Sequence, residues 1–557
     1  MKKILLTSAC LAAVVAANAQ NSSCQPHKLH ISRFTSVLPS AQPDSLRIPS
    51  THTFQMLAQK GQPYTDTAQG KIRDLFDFTG YVPLNGSSKK GFIALNHEGG
   101  NTSTGGVTVF DVQFDTTKKL WNVTNKALVD FTTAGGTGRN CSGGVMPWQT
   151  SVSSEETLPS GDANGDGYQD IGWNVEIDPV TRKVKDYNND GTPDKIWKMG
   201  RMSHENVCVT PDSAILYEAN DENPGYVFKY VLKKKGDLSD GDLYVAKLDG
   251  TIGIATTGTW VKIPNSTPTE CNNVRTAATS AAATNFSSLE DVEVGPHDGK
   301  IYFVSKSSSR VYRFTDWGST FGDVEIFAGN ANQQYLIEYE GNKKAYEQWR
   351  DGNDNLTFDD MGNLYVIQDG GRNHIWMVSP CHTAQKPDVK LFAVIPDGAE
   401  PTGMTFSPDY RYMFVSIQHP DAANATVMKD AADSNVVFNL ESMIVIARRG
   451  YLGKDTLEDT TTPNFIADVE AVQDMELVQV YPNPTTSDVS LKINSVLNQE
   501  AYIRVYNMMG VLAIERKIEL EQGQSGVTLN TAAVPAGMYN IVITGETGKV
   551  NSRFVKQ

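Results

Sequence analysis

The apolar positions of this chain come in short runs with no long helical period. Gly91-Phe-Ile-Ala-Leu-Asn96, Tyr226-Val-Phe-Lys-Tyr-Val231, Arg310-Val-Tyr-Arg-Phe314, Ile375-Trp-Met-Val378 and Met443-Ile-Val-Ile-Ala447 are of strand length and are bounded by Gly, Asp and Asn turns. Such runs predict β-strands. Several repeat one phrase, a turn followed by a strand carrying Tyr or Phe: Pro211-Asp-Ser-Ala-Ile-Leu-Tyr217, His297-Asp-Gly-Lys-Ile-Tyr-Phe-Val304, Asp360-Met-Gly-Asn-Leu-Tyr-Val-Ile367 and Pro408-Asp-Tyr-Arg-Tyr-Met-Phe-Val415. Turn-plus-strand units repeated over residues 70–450 predict an all-β fold, a β-propeller of six blades. A pair of β-sandwiches is the alternative architecture.

The pattern changes at both ends. Met1–Lys3 is positive, Ile4–Ala17 is apolar and Ala17-Asn18-Ala19 is a small-x-small cleavage site. Residues 1–19 are therefore expected to be a signal peptide, too short for a membrane span of about 20 residues. Residues 20–69 read as a polar N-terminal extension. Residues 451–472, with Thr, Asp, Glu and Pro, read as a linker. Residues 473–557 alternate apolar and polar positions, as in Tyr502-Ile-Arg-Val-Tyr506, and predict a small β-sandwich.

Composition narrows the function. Lys and Arg total 49 against 64 Asp and Glu, a net charge of −15, and there is no basic block. Nucleic-acid binding is excluded on that ground, since phosphate neutralisation needs clustered cations. No later segment is apolar enough to cross a membrane, so the mature chain is expected to have no transmembrane segment. Cys24, Cys141, Cys208, Cys271 and Cys381 remain after the signal peptide, an odd number that does not make a disulfide framework. No GxSxG, HExxH or P-loop pattern is present.

Two acidic loops stand out. Asp162, Asn164, Asp166 and Asp170 surround one Gly turn, and Asp186, Asn188, Asp190 and Asp194 repeat the spacing. Alternate carboxylates around a Gly turn supply the hard oxygens that calcium needs. Trp173 and Trp197 replace the twelfth-position Glu of an EF-hand, so the loops resemble thrombospondin type-3 or FG-GAP calcium loops. The alternative is a pair of Asx turns.

The C-terminal segment opens with Val480-Tyr-Pro-Asn-Pro484, continues through Val534-Pro-Ala-Gly-Met-Tyr539 and ends on Arg553-Phe-Val-Lys556. It resembles the C-terminal sorting domain of proteins exported by type IX secretion in Bacteroidetes. The resemblance implies type IX machinery as a partner, and export through periplasm and outer membrane to a secreted or surface location.

Between residues 70 and 450 the phrases Asn140-Cys-Ser-Gly-Gly144, Glu155-Glu156, Met199-Gly-Arg-Met-Ser-His-Glu205, Glu218…Asp221, Glu290-Asp291, Asp354-Asn-Leu-Thr-Phe-Asp359 and Glu400-Pro-Thr-Gly403 occur in order. Together they resemble the PhoX-type alkaline phosphatases, which implies a six-bladed propeller that hydrolyses small phosphate monoesters with iron and calcium in its channel. Carried over by motif, the metal candidates are Glu98, Glu156, Glu205, Glu290 and Glu400, with Asp221, Asp354 and Asn355. Carboxylates hold hard cations, which polarise phosphoryl oxygens. Two departures matter. Ser154 stands where the family has an iron-ligating cysteine, which argues against iron and leaves calcium as the expected cofactor. Ser288 stands where the family has an arginine. The reading is a secreted, metal-dependent phosphoesterase. The alternative is a calcium-bound, catalytically altered propeller acting as a cell-surface binding module.

Overall fold

The computed structural model describes residues 29–349, 352–454, 475–495, 498–507, 512–545 and 549–557. The expected signal peptide, residues 20–28 of the expected extension and residues 455–472 of the expected linker lie outside them. No helix among the described residues is long and apolar enough to cross a membrane.

Six blades follow one another along the chain, each with four antiparallel strands. Their innermost strands are Phe76–Pro83, Asn140–Val145, His204–Val209, Leu289–Val294, Asn353–Phe358 and Glu400–Phe406. The second strands are Lys90–Glu98, Ser151–Glu155, Ile215–Asn220, Ile301–Ser305, Leu364–Gln368 and Tyr412–Gln418. All four copies of the repeated turn-strand phrase fall on second strands, so the repeat marks structurally equivalent positions. The third and fourth blades are joined edge to edge through Thr257–Ile263, which pairs with Thr320–Ala328.

The ring is closed by a strand from before residue 70. His52–Gln59, within the segment read as an N-terminal extension, pairs antiparallel with Ser442–Arg448 and becomes the outer strand of the sixth blade. Covering that edge removes an unpaired strand and ties the two ends of the ring together.

Each hydrophobic cluster of the ring lies between neighbouring blades. Phe76, Tyr81 and Ile93 of the first blade meet Phe414, Met443 and Val445 of the sixth. Tyr81 stacks on Phe414 with centroids 4.9 Å apart, a contact that contributes about 1 kcal/mol beyond its area. Ala94 and Val109 meet Val175 and Ile177 of the second blade. Tyr217 and Val227 of the third meet Leu289 and Phe303 of the fourth. Apolar residues on both faces of each sheet are what this stacking requires, and they explain why the strands read as apolar runs with little alternation.

The C-terminal unit has its own core, formed by Val489, Leu491, Ile503, Ile541 and Phe554 among others. Met475–Tyr481, Asp488–Ser495 and Gly523–Asn530 form one sheet, and Gln499–Asn507, Leu512–Leu520, Gly537–Gly545 and Lys549–Lys556 form the other.

Candidate metal centre

An antiparallel pair brings the start of one strand to the end of the next. In this ring that rule gathers two residues per blade at one end of the channel. The inner strands contribute Asp77, Cys141, Glu205, Glu290, Asp354 and Glu400 near their starts. The residues ending or just following the second strands are Glu98, Glu156, Asp221, Lys306, Asp369 and His419.

The register explains the convergence. In the first five blades, Phe76 pairs with His97, Asn140 with Glu155, His204 with Asn220, Leu289 with Ser305 and Asn353 with Gln368. Each pair precedes two of the gathered residues by one position. Directly after it the register slips, between Phe76 and Thr79 in the first blade and between Leu289 and Val292 in the fourth, for example. Such irregularities re-aim side chains that would otherwise alternate between faces. The sixth blade departs from this pattern: Glu400 itself pairs with Gln418, and His419 follows.

These residues, with Arg139, line a cavity of ≈ 360 Å³. Its floor is buried: Asp77 is 4% exposed, Glu205 1% and Glu290 2%. Arg139 and His419 stand at the exposed rim. Arg139 lies 3.2 Å from Glu98 and 3.1 Å from Glu156. Lys306 Nζ lies 3.1 Å from Asp354 and 2.5 Å from Asp369.

Nine carboxyl groups (Asp77, Glu98, Glu156, Glu205, Asp221, Glu290, Asp354, Asp369 and Glu400) share this space with Arg139 and Lys306 as the lining cations. Burial, then mutual repulsion, pushes the Asp77, Glu205 and Glu290 carboxyls well above the usual range. Burial outweighs the neighbouring Arg139 and raises Glu156 to about 8. Glu400, buried and hydrogen-bonded to Asp369, rises to about 11. The Cys141 thiol is raised by burial and by the Asp77 and Glu205 carboxylates. Bound cations remove this penalty by returning the carboxyls to their ionised form.

The donor set fits metal ions. Glu98, Cys141 and Glu156 bring ligand atoms within 4.8 Å of one another, as do Glu156, Glu205 and Asp221, and Glu205, Glu290 and Asp354. Glu156 and Glu205 each belong to two of these groups. Buried Asp77 Oδ1 and Glu290 Oε1 accept no hydrogen bond.

The sequence profile of the family described as alkaline phosphatase PhoX matches residues 118–421. The chain belongs to the PhoX alkaline phosphatase family. Its likeness to the PhoX of Pseudomonas fluorescens, solved in complex with vanadate, a transition state analogue, has a TM-score of 0.57 at 20% identity and covers 76% of this chain and 99% of that one. That likeness shows a PhoX propeller fold. A fungal alcohol oxidase in complex with copper is similar at TM-score 0.37 and 8% identity, over 91% of this chain and 100% of that one. A gluconolactonase of Xanthomonas campestris is similar at TM-score 0.28 and 10% identity, over 70% and 99%. No curated protein matches. Residues 479–557 match a secretion system C-terminal sorting domain, which implies type IX secretion and export to a secreted or surface-attached state.

Among the PhoX-derived candidates, the structure brings Glu98, Glu156, Glu205, Asp221, Glu290, Asp354 and Glu400 into the cavity. Asn355 is not part of its lining. Its amide donates to Asp354 Oδ1 at 2.9 Å and its carbonyl accepts from Gly403 N at 2.9 Å, so it positions its neighbour.

Ser154, expected at the position of a metal-ligating cysteine, lies outside the cavity lining. It is fully buried inside the second blade and donates to Asn174 Oδ1 at 2.7 Å. The thiol that reaches the carboxylates is Cys141, one position into the inner strand and 3.4 Å from Asp77 Oδ2. The calcium-loop candidates Asp162, Asn164, Asp166, Asp170, Asp186, Asn188, Asp190 and Asp194 also lie outside the cavity lining. Asp162 accepts from Gly165, Asp166 and Gly167 N–H groups, and Asp186 accepts from Asn189 and Gly191. Tyr168 stacks on Trp197, which packs edge-on against Trp173 and joins the two loops.

Sequence reasoning passed over Asp77, Cys141, Asp369, Lys306 and Arg139 as site residues. A signal for two of them was present. Tyr217, Tyr302 and Tyr365 sit at matching places in the repeated phrase, and four residues after each come Asp221, Lys306 and Asp369.

Proposed function

We propose that this chain is a secreted, metal-dependent phosphoesterase that hydrolyses small phosphate monoesters in the propeller channel. The observation that carries the reading is nine carboxyl groups and one thiol around a cavity with two resident cations. Membership of the PhoX family supplies the reaction class.

Glu98, Cys141, Glu156, Glu205, Asp221, Glu290 and Asp354 would hold the ions. Bound there, divalent or trivalent cations would supply Lewis acidity toward the phosphoryl oxygens. The chain's own residues do the rest. The rigid inner strands fix the carboxylates, so little reorganisation is needed on binding. Arg139 at the rim presents a planar donor fork suited to a phosphoryl group. The buried floor excludes water and strengthens each charge interaction. Calcium is the proposed ion, and Cys141 gives iron the soft ligand that Ser154 does not. The loops at 162–170 and 186–194 are proposed to hold structural calcium.

Vanadate, bound by the Pseudomonas fluorescens protein as a transition-state analogue, provides the test. Isothermal titration is expected to detect vanadate binding to the calcium-loaded chain and none in chelator. Equal binding in both, or none in either, would overturn the reading.

A further inference from the structure

Four of the first five blades place a carboxylate at the end of the second strand: Glu98, Glu156, Asp221 and Asp369. The fourth blade places Lys306 there. The exchange is local. Lys306 N donates to Ser288 O at 2.8 Å, which holds the lysine directly against the inner strand that carries Glu290.

From that anchor Nζ reaches three carboxylates on two blades. It lies 3.5 Å from Glu290 Oε1, 3.1 Å from Asp354 Oδ2 and 2.5 Å from Asp369 Oδ2. Asp354 and Asp369 accept two of the three ammonium protons, and Glu290 Oε1 faces the same charge as an ion pair without accepting a hydrogen bond. Glu290 and Asp354 also belong to the last of the three ligand groups, with Glu205. Going round the ring, three groups of ligand atoms are followed by a corner where the positive charge is covalently attached.

We propose that Lys306 stands in the place of a bound ion. Its ammonium is a resident cation for Glu290, Asp354 and Asp369, and that corner takes no divalent ion while Lys306 is present. The number of ions the site holds is thereby set by the chain itself. A lysine is also strongly hydrated and compact, so it sits among carboxylates as a point charge, without the directional fork of arginine.

This inference rests on the reading of the cavity as a cation cluster, and one experiment separates the two. Calcium bound per chain is measured by equilibrium dialysis for the full mature protein and for Lys306→Met, Lys306→Arg and Glu205→Gln. Lys306→Met is expected to gain one calcium ion per chain and Lys306→Arg to keep the wild-type number. The same number in Lys306→Met as in wild type would overturn the role of Lys306. As many ions in Glu205→Gln as in wild type would overturn the cluster itself, because Glu205 serves two ligand groups. Acetylation of the native wild-type protein gives a readout that needs no folded variant. Lys306 is expected to stay protected with and without calcium. If calcium makes it reactive, an ion has displaced it and the proposal fails.

Discussion

Cys141 Sγ lies 3.5 Å from Glu205 Oε2, across the boundary between the second and third blades. The contact puts a soft ligand among hard ones. Cys141→Ser is expected to weaken iron binding far more than calcium binding, because thiolates favour the softer transition metals and carboxylates suffice for calcium. Ser154→Ala is expected to leave both unchanged. Metal analysis of the two variants checks this. An iron loss with Ser154→Ala and none with Cys141→Ser would reverse the assignment.

Glu205 is nearly inaccessible and is repelled by Glu290 and Glu156. Glu205→Gln is expected to lower phosphatase turnover by roughly 100-fold or more, the scale of losing one preorganised electrostatic group. The same change removes a buried acid that repels its neighbours. In chelator the variant is therefore expected to melt no lower than wild type, and in calcium to lose most of the stabilisation wild type gains. A variant that melts far below wild type in chelator would show that Glu205 is structural.

The metal-free cavity has a pH signature. Asp354 is raised to about 6 and Glu156 to about 8, burial being the largest cause in both. A carboxyl whose folded pKa lies above its unfolded value supports folding fully below the unfolded value and loses that support as pH rises through the folded one. In chelator the Tm is expected to fall between about pH 4.5 and pH 8. With calcium present the fall is expected to vanish, since bound ions keep these groups ionised at little cost. Melting curves at pH 5 and pH 8, with and without calcium, test both halves.

Lys195 and Glu155 form an ion pair with no exposure on either side chain, 2.6 Å apart. Glu155 also accepts from Gly172 N, Trp173 N and Thr137 Oγ1, and Lys195 donates to Asp170 O. The pair ties the acidic-loop insertion to the residue beside Glu156. Lys195→Met leaves a buried carboxylate without its cation and is expected to cost about 3 kcal/mol in denaturant unfolding. A loss below about 1 kcal/mol would mean that the three remaining donors suffice.

Much of this was legible along the chain, for identifiable reasons. Second strands such as Ile301–Ser305 and Leu364–Gln368 follow a turn and carry Tyr, so their repetition exposes the blades. Glu205, Glu290 and Asp354 stand next to other polar residues at strand starts and attract attention. Asp77 lies between Phe76 and Phe78, and Lys306 lies in a Ser-rich turn. Alone, each reads as an ordinary strand or surface residue. Only the antiparallel register, which sets Lys306 beside Glu290 and Asp369 beside Asp354, shows that they meet. The role of His52–Gln59 was hidden because its partner strand comes about 390 residues later in the chain.

The most direct test of the account is hydrolysis of p-nitrophenyl phosphate by the full mature chain, with calcium, with calcium plus iron, and in chelator, alongside Glu290→Ala. The account predicts turnover that requires metal and is lost in Glu290→Ala. No turnover under any metal condition, with the protein folded and calcium bound, would contradict it and leave a calcium-bound binding module in its place.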